Sequence, residues 1–209
     1  VKTSATMTHV GNAYACSEYT ETFDLDGNRL SRDTIYDDGR EAQNSYTNGL
    51  LAASLITDIA DEFDWATVER TFDESGDQTG QSNTYDDGRL LETVYTDGIR
   101  SSAEMTDVTN AYAWASYADS FDANGDLALR TITYDDGRVT ETTSTGGVTS
   151  SSIITDVDNA YIWYTIERVY DDMGMQVSQL NTYDDGRVLD LAYVDGVRAT
   201  GTMTDDADD

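Results

Sequence analysis

Apolar and polar side chains alternate along short stretches of the chain, and turn-forming pairs that contain glycine separate these stretches. Between Val148 and Thr155, alternate positions are large, small, small and large, whereas the residues between them are mostly polar. A period of two residues directs one set of side chains to one face of a β-strand. Because no period of about 3.6 residues is sustained, we expect strands with one buried face and no helix longer than one or two turns.

The alternating stretches belong to a repeat of 49 residues that contains no insertion or deletion. It is marked by the tyrosine of a Tyr-Asp-Asp-Gly-Arg segment, by an aromatic residue before aspartate, and by a tryptophan. These positions are Tyr36, Tyr85, Tyr134 and Tyr183; Phe23, Phe72, Phe121 and Tyr170; and Trp65, Trp114 and Trp163. We expect one repeat domain, residues 1–209, with repeats at approximately 1–49, 50–98, 99–147 and 148–196. Residues 197–209 would add a terminal strand and an acidic tail.

Turn signals within one repeat predict four strands. In the third repeat they lie at residues 107–110, 122–125, 136–137 and 146–147, and most contain glycine beside aspartate, asparagine or glycine. Tight turns of this kind join antiparallel neighbours, whereas parallel strands need longer crossovers. The predicted fold is therefore all-β, with about 17 strands. Each repeat is a four-stranded antiparallel meander, and the repeats form an open array.

A four-bladed β-propeller is the alternative, because four-stranded units of about 40–50 residues are typical of propeller blades. The strand segment at the start of each repeat occurs five times, however, from Thr3–Thr8 to Ala199–Thr204. Four repeats and one additional strand do not close a ring evenly, which favours the open array. The terminal strands of an open array leave edges that can pair with another chain.

Small residues at the centre of the recurring segment Val148–Thr155 and its equivalents leave room for a bulky side chain. They are Ala52, Ser101, Ser150 and Ala199, followed by Ser54, Ala103, Ser152 and Gly201. The sequence suggests the aromatic pairs at the start of the next segment as the bulky partners. These pairs are Phe63 with Trp65, Tyr112 with Trp114, and Tyr161 with Trp163.

The composition narrows the possible functions. The chain has 41 acidic and 12 basic residues and a formal net charge of −29, with one cysteine, one histidine and no proline. A single cysteine cannot form a disulfide within the chain, and a zinc or iron–sulfur centre would lack ligands. The negative charge argues against nucleic acid and anionic membranes as partners. No apolar run approaches the ~20 residues that a membrane span needs, so we expect no membrane insertion and no signal peptide. No carboxylate pair stands apart from the repeats, so we expect no enzyme activity.

The Asp-x-x-Gly turns are candidate calcium sites, because they place oxygen ligands at every second residue as the first half of a calcium-binding loop does. The candidate ligands are Asp73 and Asp77; Asp122, Asn124 and Asp126; and, as a weaker site, Asp24 and Asp26. The fourth copy has Met173 and Met175 at two of the three positions, and we expect it not to bind. Alternatively, the aspartate only accepts hydrogen bonds from its own turn.

The Asp-Asp-Gly-Arg turn is a second candidate site. We expect its arginine to pair with the first aspartate, or to recognise a carboxylate or a sugar. The pairs are Asp37 with Arg40, Asp86 with Arg89, Asp135 with Arg138, and Asp184 with Arg187.

The pattern FDxxGxxxxxxxTYDDGRxxxxxYxDGxR, which runs from Phe72 to Arg100, resembles the tandem repeats of large acidic proteins that bacteria export by type I secretion, the RTX-like adhesins. It is more loosely similar to the Tyr-Asp-Gly hairpins of YD and MORN repeats. The calcium nonapeptide GGxGxDxxx of RTX repeats does not occur in the chain. The resemblance implies an extracellular, non-catalytic repeat region.

These features predict a structural module in the extracellular space or at the cell surface, either an adhesin stalk or a subunit of a self-assembling fibre. The alternative is a β-propeller that binds carbohydrate as a lectin does. The expected partners are surface glycans and other copies of the chain. The copies would join through terminal edge strands, in which Met7 and Met203 occupy the same repeat position. Calcium is the one expected cofactor.

Overall fold

A computed structural model describes residues 3–9 and 15–205. Within those ranges all regular secondary structure is β-strand, and the 17 strands confirm the number that the turn signals predict. A helix that could cross a membrane is accordingly not found there. The chain divides into two compact units, Val1–Ala103 and Glu104–Asp209. The acidic tail expected at residues 206–209 lies outside the described residues.

The strands follow the predicted turns closely. In the first unit they are β1 (Ser4–Thr8), β2 (Cys16–Phe23), β3 (Arg29–Tyr36), β4 (Arg40–Thr47), β5 (Leu50–Asp58), β6 (Trp65–Phe72), β7 (Gln78–Tyr85) and β8 (Arg89–Thr96). Strand β9 (Ile99–Asp107) spans the division between the units. The second unit contains β10 (Trp114–Phe121), β11 (Leu127–Tyr134), β12 (Arg138–Thr145), β13 (Val148–Asp156), β14 (Trp163–Tyr170), β15 (Gln176–Tyr183), β16 (Arg187–Val194) and β17 (Val197–Asp205). Strand β10 begins three residues later than Ala111, where we expected it, because residues 108–113 form a loop.

In each unit, consecutive strands are antiparallel neighbours in one meander. Pairing runs without a break from β1 to β8 and from β10 to β17. It includes β4 with β5 and β12 with β13, which belong to different repeats. Propeller blades are separate sheets, so the propeller alternative is wrong. The sheet of each unit is open, which agrees with the prediction from the segment that occurs five times.

The hairpin that ends each repeat requires positive φ at both central residues. Asn48 and Gly49 have φ angles of 51° and 81°, and Asp97 and Gly98 have 52° and 74°. These values define type I′ turns, whose twist matches that of the flanking strands. Asparagine, aspartate and glycine tolerate this conformation better than other residues do. The local turn chemistry therefore fixes where each hairpin reverses.

One face of the sheet in each unit, the inner face, is better buried than the other. It carries Ala42 and Val68, which are 3% and 6% exposed, and Leu191, which is 7% exposed. Among the described residues, no side chain is less than 2% exposed. The core is therefore shallow, and its side chains pack mainly against neighbours on adjacent strands.

The small residues of β5 and β13 do not adjoin the aromatic pairs, so that prediction is wrong. The cross-strand neighbours instead place Ser54 beside Arg70, Ser152 beside Arg168, and Gly201 beside Leu191. A Cβ added at Gly201 would lie 2.8 Å from Cδ2 of Leu191. The tryptophans stand at the beginning of their strands, beyond the small positions, where Trp65 is opposite Tyr85. Arginine and leucine are thus the bulky neighbours of the small residues.

Strands β1 and β17 lie at the edges of their units. Each pairs with one neighbour there, β1 with β2 and β17 with β16. All nine residues of β17 are exposed. In the repeat, β1 and β17 are equivalent to β5 and β13, which pair on both sides. The unpaired side of each edge strand therefore has a backbone geometry that accepts a further strand.

Candidate functional site

The Asp-x-x-Gly turns fold in the same way in all four repeats. In the second repeat, Oδ1 of Asp73 accepts hydrogen bonds from the backbone N–H groups of Ser75 at 2.8 Å and Asp77 at 2.9 Å. The N–H of Gly76 donates to the carbonyl oxygen of Asp73 at 3.1 Å. The equivalent acceptors are Asp24, Asp122 and Asp171. The first aspartate is thus the group that closes each turn.

The fourth copy separates turn formation from calcium binding. Met173 and Met175 replace polar residues there, yet both of their N–H groups donate to Oδ1 of Asp171 at 2.9 Å. The later candidate ligands, such as Asp77 and Asp126, are therefore not needed to form the turn. Calcium takes about six to eight oxygen ligands. Each turn offers two candidate carboxylates at most, and no group of three metal-binding side chains is found within residues 3–9 and 15–205. Calcium binding stays a prediction, in which carbonyl groups and water would supply the remaining ligands.

The arginine of each Asp-Asp-Gly-Arg turn pairs with the second aspartate, so the expected pairing with Asp37, Asp86, Asp135 and Asp184 is wrong. The observed pairs are Arg40 with Asp38 at 2.7 Å, Arg89 with Asp87 at 2.8 Å, Arg138 with Asp136 at 2.9 Å, and Arg187 with Asp185 at 2.8 Å. The backbone N–H of the arginine also donates to the second aspartate, at 3.2 Å for Arg40 and for Arg138. This bond holds the carboxylate on the side of the turn where the guanidinium lies.

One hydroxyl group distinguishes two of these turns. The hydrogen bond from the Arg138 side chain lowers the pKa of Asp136, whereas partial desolvation raises it. A hydrogen bond of 2.8 Å from the Tyr161 hydroxyl lowers this pKa further, to about 2. In the second repeat, Phe63 occupies the position of Tyr161 and has no hydroxyl. The pKa of Asp38 is lowered there chiefly by its hydrogen bond to the Arg40 side chain.

The same arginines contact aromatic rings. Cζ of Arg138 lies 4.8 Å from the ring centre of Tyr134 and 5.6 Å from that of Tyr161, which stacks on Trp163 at 5.3 Å. The first unit repeats this arrangement with Tyr36, Arg40, Phe63 and Trp65. Each cation–π contact at a partly exposed site contributes about 0.5–1 kcal/mol. The Tyr161 and Phe63 rings each contact both an arginine and a tryptophan, which favours packing over stacking on a sugar.

A longer period distinguishes odd from even repeats at the centre of the inner face. The second strand of each repeat carries Glu21, Arg70, Asp119 and Arg168 at one equivalent position. In the odd repeats the acid is paired: Glu21 lies 2.7 Å from Arg29, and Arg130 binds Asp119 through two hydrogen bonds of 2.7 Å. In the even repeats the position is basic, and Nε of Arg70 and of Arg168 donates to Gln81 and Gln179, each at 3.2 Å.

Our reading of the sequence missed this alternation, because it compared positions that all four repeats share. Residues two repeats apart carry the signal: Glu21 and Asp119 are both acidic, and Arg70 and Arg168 are identical. Each compact unit thus contains one acidic and one basic version of the same position.

A scan of protein-family models and a search of curated protein sequences both return no match to this chain.

Proposed function

We propose that the chain is a non-catalytic structural repeat module that acts outside the cell or at its surface, as an adhesin stalk or a subunit of a self-assembling fibre. The pairing of strands across repeat boundaries carries this proposal. Strands β4 and β5 pair through eight residue pairs although they belong to different repeats, and so do β12 and β13. A boundary is therefore held by the same ladder as the interior of a repeat. Such an array is extended by adding repeats, as in other repeat proteins.

The edge strands support association with other copies of the chain. Strand β17 is exposed along its whole length, and its unpaired side is equivalent to the side of β13 that pairs with β14. An extended strand of a second copy can add there through backbone hydrogen bonds, as in β-strand addition. The identical Thr-Met-Thr segments of β1 and β17 support the same interpretation.

The composition and the repeat pattern support the location. Only one of the 12 basic residues is lysine, and an acidic, lysine-poor surface suits a saline environment, where salt screens the repulsion of a net charge of −29. The likeness to RTX-like adhesin repeats, and more loosely to YD and MORN hairpins, points the same way. Calcium at the Asp-x-x-Gly turns is part of this proposal. The absence of enzyme activity is proposed because the carboxylates recur with the repeat and none forms a separate pair.

Sedimentation velocity of the full chain over a wide range of concentrations tests the association. We expect the average mass to rise with concentration, because paired edges satisfy backbone groups that are otherwise solvated. A chain that remains monomeric at every concentration would contradict the proposal.

Two proline substitutions on β17 provide a matched control. Neighbouring residues of a strand direct their N–H groups to opposite sides, so Thr202→Pro and Met203→Pro each affect a different side of the strand. We expect one variant to lose association while its melting temperature stays unchanged. The other should lose part of the pairing with β16 and melt earlier. Equal association by both variants and the unaltered chain would show that this edge is not used.

A further inference from the structure

In the part of the chain that the structure describes, Arg70 and Arg168 have no acidic partner, although the sequence has 41 acidic residues. Each donates one hydrogen bond through Nε, at 3.2 Å, to a glutamine. Within the described residues, neither terminal nitrogen of either arginine makes an ion pair or a hydrogen bond. Six other arginines do pair with a carboxylate within the chain. The outer edge of each guanidinium, formed by its two terminal nitrogens, is therefore available.

The amides around Arg70 form a network that presents donors. Oε1 of Gln81 accepts from Nε of Arg70 at 3.2 Å and from Nε2 of Gln78 at 3.3 Å, and Nε2 of Gln81 donates to Oδ1 of Asn83 at 2.8 Å. This direction of donation leaves the amide group of Asn83 as a further donor. A positive guanidinium with a neighbouring amide donor suits an anion.

The fourth repeat builds the same network with the same distances. Arg168, Gln176, Gln179 and Asn181 are linked by hydrogen bonds of 3.2, 3.3 and 2.8 Å. In both repeats the cross-strand neighbour of the arginine is a small buried residue, Ser54 or Ser152, which are 8% and 7% exposed. The hydrogen-bond network around the arginine is therefore the same in the second and fourth repeats, which lie in separate units.

The third repeat contains a guanidinium–carboxylate pair at the equivalent two positions. There, Asp119 and Arg130 occupy the positions of Arg168 and Gln179, and two hydrogen bonds of 2.7 Å join guanidinium and carboxylate. Guanidinium and carboxylate match as two parallel hydrogen bonds, and this pairing is stronger than one between neutral groups. The even repeats keep a guanidinium at this place in the sheet and lack the acid.

We propose that Arg70 and Arg168 each bind the carboxylate of a monomeric sugar acid, such as a hexuronate. The carboxylate would meet the outer edge of the guanidinium, and the ring hydroxyls would meet the asparagine and glutamine amides. An aromatic residue, Phe72 or Tyr170, lies opposite the first glutamine and offers an apolar ring to the sugar. This proposal does not depend on self-association of the chain, because both sites lie within one copy.

Nuclear magnetic resonance of the 15N-labelled full chain tests the proposal through the Nε–H signals of its arginines. Sodium galacturonate is titrated against sodium acetate, galactose and sodium chloride at matched ionic strength. We expect saturable shifts at Arg70 and Arg168 with galacturonate, weaker binding of acetate, and no shift at Arg130, whose carboxylate is built in. Equal shifts with sodium chloride, or none with galacturonate, would overturn the sites. Equal affinity for acetate and galacturonate would overturn the assignment to a sugar acid.

Two substitutions give each site its own control. Gln81→Glu supplies an internal carboxylate to Arg70, and Gln179→Glu does the same for Arg168, with no change in side-chain size. Each should weaken binding at its own site by about ten- to a hundredfold, because the arginine then bonds the internal carboxylate and the ligand loses a charge-assisted hydrogen bond. The unaltered site of the same molecule reports that the chain is folded. Undiminished binding at the altered site would refute the proposal.

Discussion

The centres of repeats three and four have the same backbone and opposite chemistry. In repeat three, Asp119 is 7% exposed, and Arg130 neutralises its charge and donates two hydrogen bonds to it. In repeat four, Arg168 stands at the position of Asp119 and donates to the neutral side chain of Gln179. The strand pairing around both positions has the same register. The 49-residue period therefore specifies the backbone, whereas the polar chemistry of the inner face follows a period of two repeats.

The largest effect is expected when the acid of repeat three is removed. Asp119→Ala should lower the free energy of unfolding by about 1–2 kcal/mol, because Arg130 loses its partner but remains partly solvated. Arg168→Met should change it by less than about 0.5 kcal/mol, since no ion pair is broken. Urea unfolding of both variants measures the difference. Equal losses would show that the two centres do not differ as we describe.

Salt and calcium should separate the first three Asp-x-x-Gly turns from the fourth. Because 29 net negative charges repel one another, we expect the melting temperature to rise with sodium chloride. Millimolar calcium should raise it further than sodium at equal ionic strength, and Asp122→Ala/Asp126→Ala should remove part of that gain. Asp171→Ala should leave the calcium effect intact. Equal melting temperatures in calcium and in sodium would show that these aspartates form turns and do not bind calcium.

The loop of residues 58–64 should be more sensitive to pH than residues 156–162. Desolvation and then repulsion from Asp61, Asp58 and Asp64 raise the pKa of Asp86. A raised pKa means that stability decreases as pH rises from about 3.8 through the folded-state value. The fourth repeat has asparagine and isoleucine where Asp61 and Asp64 stand. Asp61→Asn/Asp64→Ala should therefore lower the pKa of Asp86, which a carboxyl titration by nuclear magnetic resonance measures. An unchanged pKa would contradict the repulsion.

The smallest effect concerns the single hydroxyl of Tyr161. Tyr161→Phe should raise the pKa of Asp136 from about 2, because the 2.8 Å hydrogen bond to the ionised carboxylate is lost. Phe63→Tyr should lower the pKa of Asp38 in the first unit. A depressed pKa stabilises the fold above about 3.8, and this contribution is lost as pH falls toward 2. The same carboxyl titration applies, and opposite or absent shifts would rule out the hydroxyl as the cause.

Strand positions were predictable because the turns are specified locally. A pair such as Asn48-Gly49 determines a hairpin through its own φ preferences, whatever lies elsewhere in the chain. The bulky neighbour of Ser54 was not predictable in the same way, because it depends on the register between β5 and β6. Trp65, which we expected beside the small residues, lies five positions before Arg70, the residue found there.

Side-chain pairing within a turn also escaped the sequence. Asp37 and Asp38 are adjacent and chemically identical, and only the backbone bond from Arg40 to Asp38 decides which carboxylate meets the guanidinium. The predicted calcium ligands all lie in the turns where we placed them, but their ability to gather a full set of ligands depends on geometry that spacing does not contain. The basic centres at Arg70 and Arg168 were visible in the sequence, although only in a comparison of alternate repeats.

The meander within each unit has a mechanical consequence. When tension is applied along the direction in which strands follow one another, it loads the hydrogen bonds of an outer strand one after another and peels strands away in turn. A folded repeat of four strands spans roughly 19 Å in that direction, whereas 49 extended residues span roughly 165 Å. Each repeat can therefore lengthen roughly ninefold as its strands separate one after another. A tether built in this way would absorb a sudden pull by unzipping and would not transmit it undiminished to its attachment.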